Sequence, residues 1–466
     1  MKIEQIYTKC LSQGAYYIES KGEAAIIDPL REVQPYIDKA IKDDAKIKYI
    51  FETHFHADFV SGHITLAEKT GAKIVYGPTA STNFDAYIAK DNESFFVGDL
   101  EIVALHTPGH TMESTVYLLK DESGKDYAIF SGDTLFIGDV GRPDLAQKGN
   151  LTMEDLAGYL YDSLRNKIMV LNDDVIVYPA HGAGSACGKH LSNETVSTIG
   201  NQKKTNYALR ANMSRDEFVK EVTDGLLPPP DYFPLNVKLN KEGYESIDTI
   251  LEKGTKSLTV EQFIEKKDKY EALILDVRHQ SDFIKGFVPN SMFIGLNGTF
   301  APWVGALIKD IHQPIILITP EGREEETITR LARVGFDNVI GYLEGGFQAW
   351  QKANETIDTL TSISAKKLEE NIQNGAIVFD VRKPGEYDNE HIKGVKNTPL
   401  DYLNDYISVF PQDKKFFIHC AGGYRSVIAA SILKAKGFHN VIDVAGGFAA
   451  IRETNIERTN PVCLSS

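Results

Sequence analysis

The chain has 466 residues and a formal net charge of −15, from 50 basic and 65 acidic residues. At roughly 150 residues per domain, the length predicts about three domains. A content of 42% hydrophobic and 25% charged residues is typical of globular protein with several cores. The acidic balance argues against nucleic-acid binding. No apolar run reaches spanning length, and a charge interrupts the N-terminus where a signal peptide needs its apolar core. We therefore expect a cytoplasmic protein without membrane association.

The first 240 residues are predicted to form short buried strands separated by turns and a few helices. The predicted strands are 24–28, 47–51, 73–76, 101–106, 115–119, 127–130 and 175–178, and a helical pattern covers 60–69. Prolines at 228–230 and 234 should end any regular element, and the polar residues 241–257 are predicted to link two domains.

The C-terminal half contains a repeat. Asp-Val-Arg occurs at 276–278 and 380–382, Gly-Phe-x-Asn-Val-Ile at 335–340 and 437–442, and Gly-Gly-Phe at 345–347 and 446–448. This spacing is too long for a solenoid unit and predicts a duplicated small domain. Strands such as 273–277 and 416–419 alternate with helical segments, which predicts parallel sheets covered by helices. The predicted domains are 1–240, 258–355 and 360–458.

The two copies differ in the loop that follows one strand. The second copy has Cys420, Ala421, Gly422, Gly423, Tyr424, Arg425 and Ser426, and then a helical stretch. At the same place the first copy begins with Thr319 and has no thiol. A cysteine on a glycine-containing loop before a helix is stabilised as thiolate by backbone N–H groups and the helix dipole. Arg425 adds planar donors that suit sulfur oxyanions. The pattern predicts nucleophilic attack by Cys420, although a lone cysteine at a strand end is more often structural.

This loop, with Asp380-Val381-Arg382 and Gly446-Gly447 around it, resembles the rhodanese sulfurtransferases. The resemblance implies that Cys420 carries a persulfide and that Arg425 binds the sulfur donor or acceptor. It also implies that residues 258–355 are a degenerate rhodanese-like domain. A cysteine phosphatase fits less well, because its phosphate loop is typically longer by one residue.

Potential metal ligands follow four predicted strands of the N-terminal half. They lie in His54-Phe55-His56-Ala57-Asp58-Phe59, in Pro108-Gly109-His110, in Ser131-Gly132-Asp133 and in Pro179-Ala180-His181. One such residue is commonly a satisfied polar group, but four at strand ends together indicate a metal site. The set resembles the metallo-β-lactamase superfold, an αββα sandwich. The expected fold class is therefore α/β multidomain, with this sandwich followed by two rhodanese-like domains.

Hydrolases of this superfold hold two metals with His-x-His-x-Asp-His, and Phe59 stands here in place of the final histidine. Two imidazoles and one carboxylate with open positions suit a mononuclear Fe(II) oxygenase. By resemblance to the persulfide dioxygenases, the iron-dependent branch, one Fe(II) would be held by His54, His110 and Asp133. The same resemblance gives supporting or pocket roles to His56, Asp58 and His181.

Two further residues are candidates for substrate binding. Arg142, in Gly-Arg-Pro-Asp at 141–144, could hold the anionic end of a thiol cofactor, with a structural ion pair as the alternative. Cys187 lies close to His181 in sequence, so a sulfur relay and a buried structural thiol are both open. The other cysteines, Cys10 and Cys463, have no motif around them and are assigned nothing; a disulfide framework is not expected.

The combined resemblance is to multidomain persulfide dioxygenases with one degenerate and one active rhodanese domain, from bacterial sulfide detoxification. It implies O2-dependent oxidation of a low-molecular-weight thiol persulfide to sulfite, coupled to sulfur transfer that gives thiosulfate. The carrier thiol is left open among glutathione, coenzyme A and bacillithiol types, and a homo-oligomer is expected. The alternatives are a zinc-dependent thioester hydrolase like glyoxalase II fused to a sulfurtransferase, and a sulfur-carrier or sensing module with a vestigial metal site.

Overall fold

The computed structural model describes residues 1–146 and 151–460. The chain divides into two compact units, one of residues 1–249 with 329–336 and the other of residues 250–328 with the chain from 337 onward. Among the described residues, no helix has both the length and the apolar character needed to cross a membrane. Cys463 lies outside the described residues.

Two mixed sheets of six strands each build the first unit in its described residues. The first sheet contains, in spatial order, β1 (Lys2–Thr8), β2 (Gln13–Ser20), β3 (Glu23–Ile27), β4 (Lys46–Phe51), β5 (Lys73–Tyr76) and β6 (Tyr87–Ile88). The second contains β7 (Glu93–Val97), β8 (Leu100–His106), β9 (Thr115–Lys120), β10 (Asp126–Gly132), β11 (Ile176–Pro179) and β12 (Ser197–Thr198). Every strand predicted in this half overlaps an observed one.

Helices cover the outer face of each sheet. They are α1 (Gln34–Lys42), α2 (His63–Thr70), α3 (Met153–Ser163), α4 (Ile199–Thr205), α5 (Arg215–Thr223) and α6 (Phe233–Glu242). One apolar core lies between the sheets, where Phe51 of β4 and Tyr117 of β9 pack together. A second core joins the first sheet to α1 and α2, and a third joins the second sheet to α3, α4 and α5. The layers are therefore αββα, which confirms the predicted fold class.

Two local expectations in this region were wrong. The helix predicted from residue 60 begins at His63, because residues 54–62 form the loop that carries the candidate ligands. Pro234 does not end a regular element but lies in the first turn of α6, where its missing N–H breaks no helical hydrogen bond. The segment predicted as a linker contains a further helix, α7 (Ile247–Gly254).

The second unit contains two sheets of five parallel strands each, counted in the described residues. The first sheet has the order β13, β17, β16, β14, β15, and the second has the matching order β18, β22, β21, β19, β20. The strands of the first sheet are β13 (Ser257–Leu258), β14 (Leu273–Asp276), β15 (Met292–Phe293), β16 (Ile315–Ile318) and β17 (Val339–Leu343). Those of the second are β18 (Ser362–Ile363), β19 (Ile377–Asp380), β20 (Lys396–Asn397), β21 (Phe416–His419) and β22 (Val441–Val444).

The crossover connections of both sheets are helical, as is usual for parallel strands, and the one from β20 to β21 is a 3-10 helix, Leu400–Val409. The helices are α8 (Val260–Lys269), α9 (Gln280–Lys285), α10 (Phe300–Leu307), α11 (Glu324–Ala332), α12 (Gly346–Lys352), α13 (Ala365–Gln373), α14 (Pro384–Asn389), α15 (Arg425–Ala435) and α16 (Gly447–Arg452). The shared strand order confirms the duplicated α/β domain. It also places the start of the Cys420 loop between β21 and α15, and the Thr319 loop between β16 and α11.

Candidate functional site

Three strand ends of the αββα unit bring His54, His110 and Asp133 together. Their candidate ligand atoms all lie within 4.8 Å of one another. Asp133 Oδ2 is 3.9 Å from His54 Nε2 and 3.4 Å from His110 Nε2. All three side chains are buried. The residues predicted as metal ligands therefore form one compact cluster.

Hydrogen bonds fix the direction in which each imidazole of this cluster points. His110 Nδ1 donates to the Arg142 carbonyl at 2.9 Å. The Thr53 hydroxyl gives its proton to Asp28 Oδ2 at 2.9 Å, so it accepts from His54 Nδ1 at 3.0 Å. Burial lowers the pKa of His54 well below its ordinary value. With Nδ1 of each ring donating, Nε2 of each ring faces the carboxylate and is the nitrogen that can bind a metal.

The two carboxylate oxygens of Asp133 differ in their hydrogen bonding. Its Oδ1 accepts from His181 Nδ1 at 2.8 Å, whereas the buried Oδ2 has no hydrogen-bond partner among the described residues. Burial would raise the pKa of Asp133, but the imidazoles of His181 and His54 hold it well below its ordinary range. A buried, unpartnered carboxylate oxygen beside two Nε2 lone pairs fits a divalent metal ion.

A second cluster, Asp58, His181 and Cys187, adjoins the first through the contact of His181 with Asp133. His181 Nε2 lies 2.9 Å from Asp58 Oδ2. Burial opposes protonation, but the carboxylates of Asp133 and Asp58 raise the pKa of His181 well above its ordinary value. Burial and the charge of Asp58 raise the pKa of the Cys187 thiol, so it stays neutral. His181 therefore lies as an imidazolium between Asp58 of this cluster and Asp133 of the first, and the predicted supporting role stays a prediction.

His56 faces two carboxylates that the sequence analysis did not single out. Its Nε2 lies 3.1 Å from Asp28 Oδ1 and 3.4 Å from Glu52 Oε2. Burial opposes protonation, but Asp28 and then Glu52 raise the pKa of His56 to about 10. Phe59 packs on the same ring, with centroids 4.3 Å apart, and is fully buried. Asp28 follows β3 and Glu52 follows β4, so the criterion that found the ligands, a polar residue after an apolar run, would have found both.

Asn240 of α6 supports the loop of residues 54–62 that carries the candidate ligands. The sequence alone placed Asn240 at the end of the first domain and gave it no role. Its amide nitrogen donates to the carbonyls of His56 and Phe59, both at 2.8 Å. The side chain is fully buried. It therefore satisfies two backbone carbonyls of the ligand loop.

We expect Asn240→Ala to lower the free energy of unfolding by about 1–3 kcal/mol, because two buried carbonyls lose their donor. Retained metal should fall with it, since the loop carries His54. Denaturant unfolding and metal analysis would measure both effects. Asn83→Ala, at an exposed asparagine of the same unit, is the matched control and should change neither. Equal stability of the two variants would contradict the role given to Asn240.

Arg142 is buried and its guanidinium already has partners. Nε and Nη2 donate to the two carboxylate oxygens of Asp144, both at 2.6 Å. Nη2 also donates to the Leu227 carbonyl at 2.6 Å, and Nη1 to the Ala186 carbonyl at 3.2 Å. This geometry favours the structural ion pair over the binding of a substrate anion, and the substrate-binding role remains a prediction.

Arg142→Lys should destabilise the fold by about 1–3 kcal/mol, because an ammonium group cannot make the planar bidentate pair. The KM for the substrate of the metal site should change little. Asp144→Asn should reproduce the same loss of stability. A KM raised tenfold or more at unchanged stability would instead assign Arg142 to the substrate.

The Cys420 loop of the second unit holds its sulfur by a backbone donor. Gly423 N donates to Cys420 Sγ at 3.1 Å, and Ser426 Oγ lies 3.5 Å from the same sulfur. Gly423 has φ +93°, a backbone conformation that residues with a side chain rarely adopt. The thiol is almost fully buried.

The other polar residues of this loop have partners outside it. Arg425 pairs with both oxygens of Glu386, at 2.6 and 2.8 Å. Burial opposes ionisation, but the Arg425 guanidinium lowers the pKa of Glu386. The Tyr424 hydroxyl donates to the carbonyl of Gly295, in the first repeat, at 2.7 Å. Gly423 and Ser426 therefore lie against the thiol, Arg425 has a carboxylate partner, and the predicted roles of the loop residues stay predictions.

Family comparisons agree with this architecture. Residues 9–181 match the model of the metallo-beta-lactamase superfamily, and residues 259–353 and 364–454 match that of the rhodanese-like domain. The chain belongs to the metallo-beta-lactamase superfamily and carries two rhodanese-like domains after that domain. The predicted fusion architecture is confirmed.

Its relatives include two kinds of enzyme. Persulfide dioxygenase ETHE1, mitochondrial, of Homo sapiens is 31% identical over 220 residues, which are 47% of this chain and 78% of the human protein. A cytoplasmic hydroxyacylglutathione hydrolase of Arabidopsis thaliana is 32% identical over 186 residues, 39% of this chain and 67% of that protein. A crystal structure of a metallo-beta-lactamase from Staphylococcus aureus subsp. aureus COL has 30% identity and a TM-score of 0.64, covering 74% of this chain and 98% of that chain. Overall identity does not separate the two chemistries.

Proposed function

We propose that the protein oxidises a low-molecular-weight thiol persulfide with O2 to sulfite, at one Fe(II) in its first domain, and transfers sulfur through Cys420 to give thiosulfate. The observation that carries the proposal is the buried cluster of His54, His110 and Asp133, with one carboxylate oxygen left without a partner. The similarity to a human persulfide dioxygenase and the two rhodanese-like domains support the same chemistry.

In this proposal His54, His110 and Asp133 hold the metal. Bound there, Fe(II) would supply open positions at which O2 and a persulfide sulfur can be brought together. Thr53 and the Arg142 carbonyl keep both imidazoles in the tautomer that leaves Nε2 free. Burial of all three side chains excludes bulk water from the cluster. One persulfide, one O2 and one water yield one thiol, one sulfite dianion and two protons, so atoms and charge balance.

Sulfur transfer at Cys420 would follow nucleophilic displacement. Sulfite attacks the outer sulfur of the Cys420 persulfide, the S–S bond of the persulfide breaks, and its electron pair returns to the cysteine sulfur. The product is thiosulfate. Gly423 N, which donates to Cys420 Sγ, would stabilise the thiolate that leaves. Arg425 would attract the anionic acceptor, with Glu386 as its resting partner.

A zinc-dependent thioester hydrolase is the second candidate, because the Arabidopsis hydrolase is as similar in sequence as the human dioxygenase. Phe59 favours the dioxygenase. It is fully buried and packs on His56, at the position where hydrolases of this superfold carry a further ligand. With that ligand missing, a second metal ion would lack one of its imidazoles.

The test is anaerobic reconstitution with Fe(II), metal analysis, and oxygen uptake on addition of glutathione, coenzyme A or bacillithiol persulfide. We expect one iron per chain and oxygen uptake with sulfite as product. The preferred persulfide would identify the carrier thiol. Full iron loading without uptake on any of the persulfides would contradict the proposal, and thioester hydrolysis by the zinc-loaded protein without oxygen would support the hydrolase.

A further inference from the structure

The thiol-less first repeat retains the backbone of a working loop. Thr319 follows β16 just as Cys420 follows β21. Three residues later Gly322 has φ +78°, and its counterpart Gly423 has φ +93°. Both residues therefore adopt the same left-handed conformation, which turns an N–H group back toward the start of the loop.

The glycine pair that packs against each loop is also retained. Gly345 and Gly346 have φ +70° and +57°, and Gly446 and Gly447 have φ +74° and +54°. A Cβ on Gly346 would lie 3.0 Å from the Thr319 carbonyl, and one on Gly447 would lie 2.4 Å from the Cys420 carbonyl. The same close approach thus supports both loops, although only one carries a thiol.

The two loops differ in the atom that accepts the turned N–H. In the second repeat Gly423 N donates to Cys420 Sγ at 3.1 Å. In the first repeat Gly322 N donates to Glu324 Oε1 at 3.2 Å, and the Thr319 hydroxyl donates to the same oxygen at 3.1 Å. A carboxylate oxygen of the chain itself therefore takes the donor that stabilises sulfur in the other copy.

We propose that the loop of the first repeat keeps the backbone conformation of a sulfur-transfer loop but cannot transfer sulfur. Thr319 supplies no thiol, and the Glu324 carboxylate occupies the Gly322 N–H that would stabilise one. The two rhodanese-like domains then have a single sulfur-carrying position between them, Cys420. The inference rests on the proposed sulfurtransferase activity of Cys420.

The charge at position 324 explains why a thiol at position 319 would not be enough for sulfur transfer. Counted from Thr319 and Cys420, Glu324 corresponds to Arg425, so a cation is replaced by an anion. A thiolate or sulfur oxyanion beside the Glu324 carboxylate would be repelled, and it would find the Gly322 N–H already bound. A thiol alone at position 319 is therefore not expected to work.

The first repeat offers a cavity beside Thr319 and a carboxylate that could pair with an arginine in place of Glu324. A cavity of about 360 Å³ is lined by Thr319, Glu321, Asp282 and Lys285, among others. Asp282 lies six residues after Asp276, as the Arg425 partner Glu386 lies six residues after Asp380. By this correspondence, we expect an arginine introduced at position 324 to pair with Asp282, as Arg425 pairs with Glu386.

The test uses the full chain in a Cys420→Ser background, with thiosulfate as donor and cyanide as acceptor. The loop thiol attacks the outer sulfur of thiosulfate, the S–S bond breaks, and sulfite leaves with the electron pair. Cyanide then takes that sulfur as thiocyanate and returns the thiolate. We expect no thiocyanate above background with Cys420→Ser alone or with added Thr319→Cys, and at least about tenfold more with Thr319→Cys and Glu324→Arg together.

Alkylation by iodoacetamide gives a second readout that needs no turnover. In the Cys420→Ser background, the thiol introduced by Thr319→Cys should react on the order of tenfold faster when Glu324→Gln or Glu324→Arg is added. Glu325→Gln, at the exposed neighbouring carboxylate, is the matched control and should give no increase. Thermal unfolding checks that each variant is folded.

Three results would overturn the inference. Thr319→Cys alone could transfer sulfur as well as the version with Glu324→Arg. The folded combination could stay silent while wild-type protein forms thiocyanate. Alkylation could be unaffected by either change at Glu324. If wild-type protein forms no thiocyanate, the proposed sulfurtransferase fails instead, and the alkylation rates alone decide whether Glu324 closes the loop.

Discussion

Replacing His54 with alanine should remove bound iron and oxygen uptake together, whereas His56→Ala should keep a good part of both. His54 directs its Nε2 toward Asp133 within the ligand cluster. His56 directs its Nε2 to Asp28 and Glu52 instead. We expect the His54 change to weaken iron binding by more than about 100-fold, beyond the range for residues that only support a ligand. Metal analysis after dialysis, together with oxygen uptake, measures the difference.

The matched control is His439→Ala, at an exposed histidine of the second rhodanese-like domain, which should leave iron content unchanged. Loss of iron from His56→Ala as complete as from His54→Ala would show that His56 is a ligand and that the proposed set of three is wrong.

Cys420→Ser should abolish sulfur transfer and leave oxygen uptake in place. A serine hydroxyl cannot carry sulfane sulfur, so transfer should fall by about 1,000-fold or more. The residues proposed to hold iron all belong to the first unit, so oxidation should continue. Sulfite should then accumulate in place of thiosulfate, which chromatography of the products under O2 would show.

Cys10→Ser is the appropriate comparison, because Cys10 is a partly buried free cysteine with no motif around it. It should change neither product. Thiosulfate formation that survives Cys420→Ser would assign sulfur transfer to another thiol, with Cys187 as the first to test by the same substitution.

Local patterns were enough to predict the strands and the loops that carry the candidate ligands. Short apolar runs ending in His54, His110 and Asp133 become strands whose ends meet, because the chain must bury both faces of two sheets. The repeat was equally visible, since the glycines that its tight approaches require occur in both copies. These features depend on residues close together in sequence.

Long-range partners were not predictable in this way. Asn240 binds the carbonyls of His56 and Phe59 from more than 180 residues away, and no local pattern marks an asparagine near a helix end for that role. The partners of Arg142 likewise include the carbonyl of Leu227. Such contacts depend on how elements pack, so sequence spacing leaves their pairing undetermined. The Pro234 error has a local cause, because proline both ends a helix and starts one.

The hydrogen bond from Tyr424 to the Gly295 carbonyl makes the reactive loop of the second repeat depend on the first repeat. Gly298 also lies against the Tyr424 ring, where a Cβ would come within 2.3 Å of it. A recombination event that moved residues 360–460 to another protein would separate the reactive loop from both neighbours. Substitution at position 298 of the degenerate copy is constrained, because only glycine leaves space there for the Tyr424 ring of the other copy. We therefore expect the two repeats to be inherited together, and a glycine at position 298 of the degenerate copy to accompany a tyrosine before the arginine of the active copy.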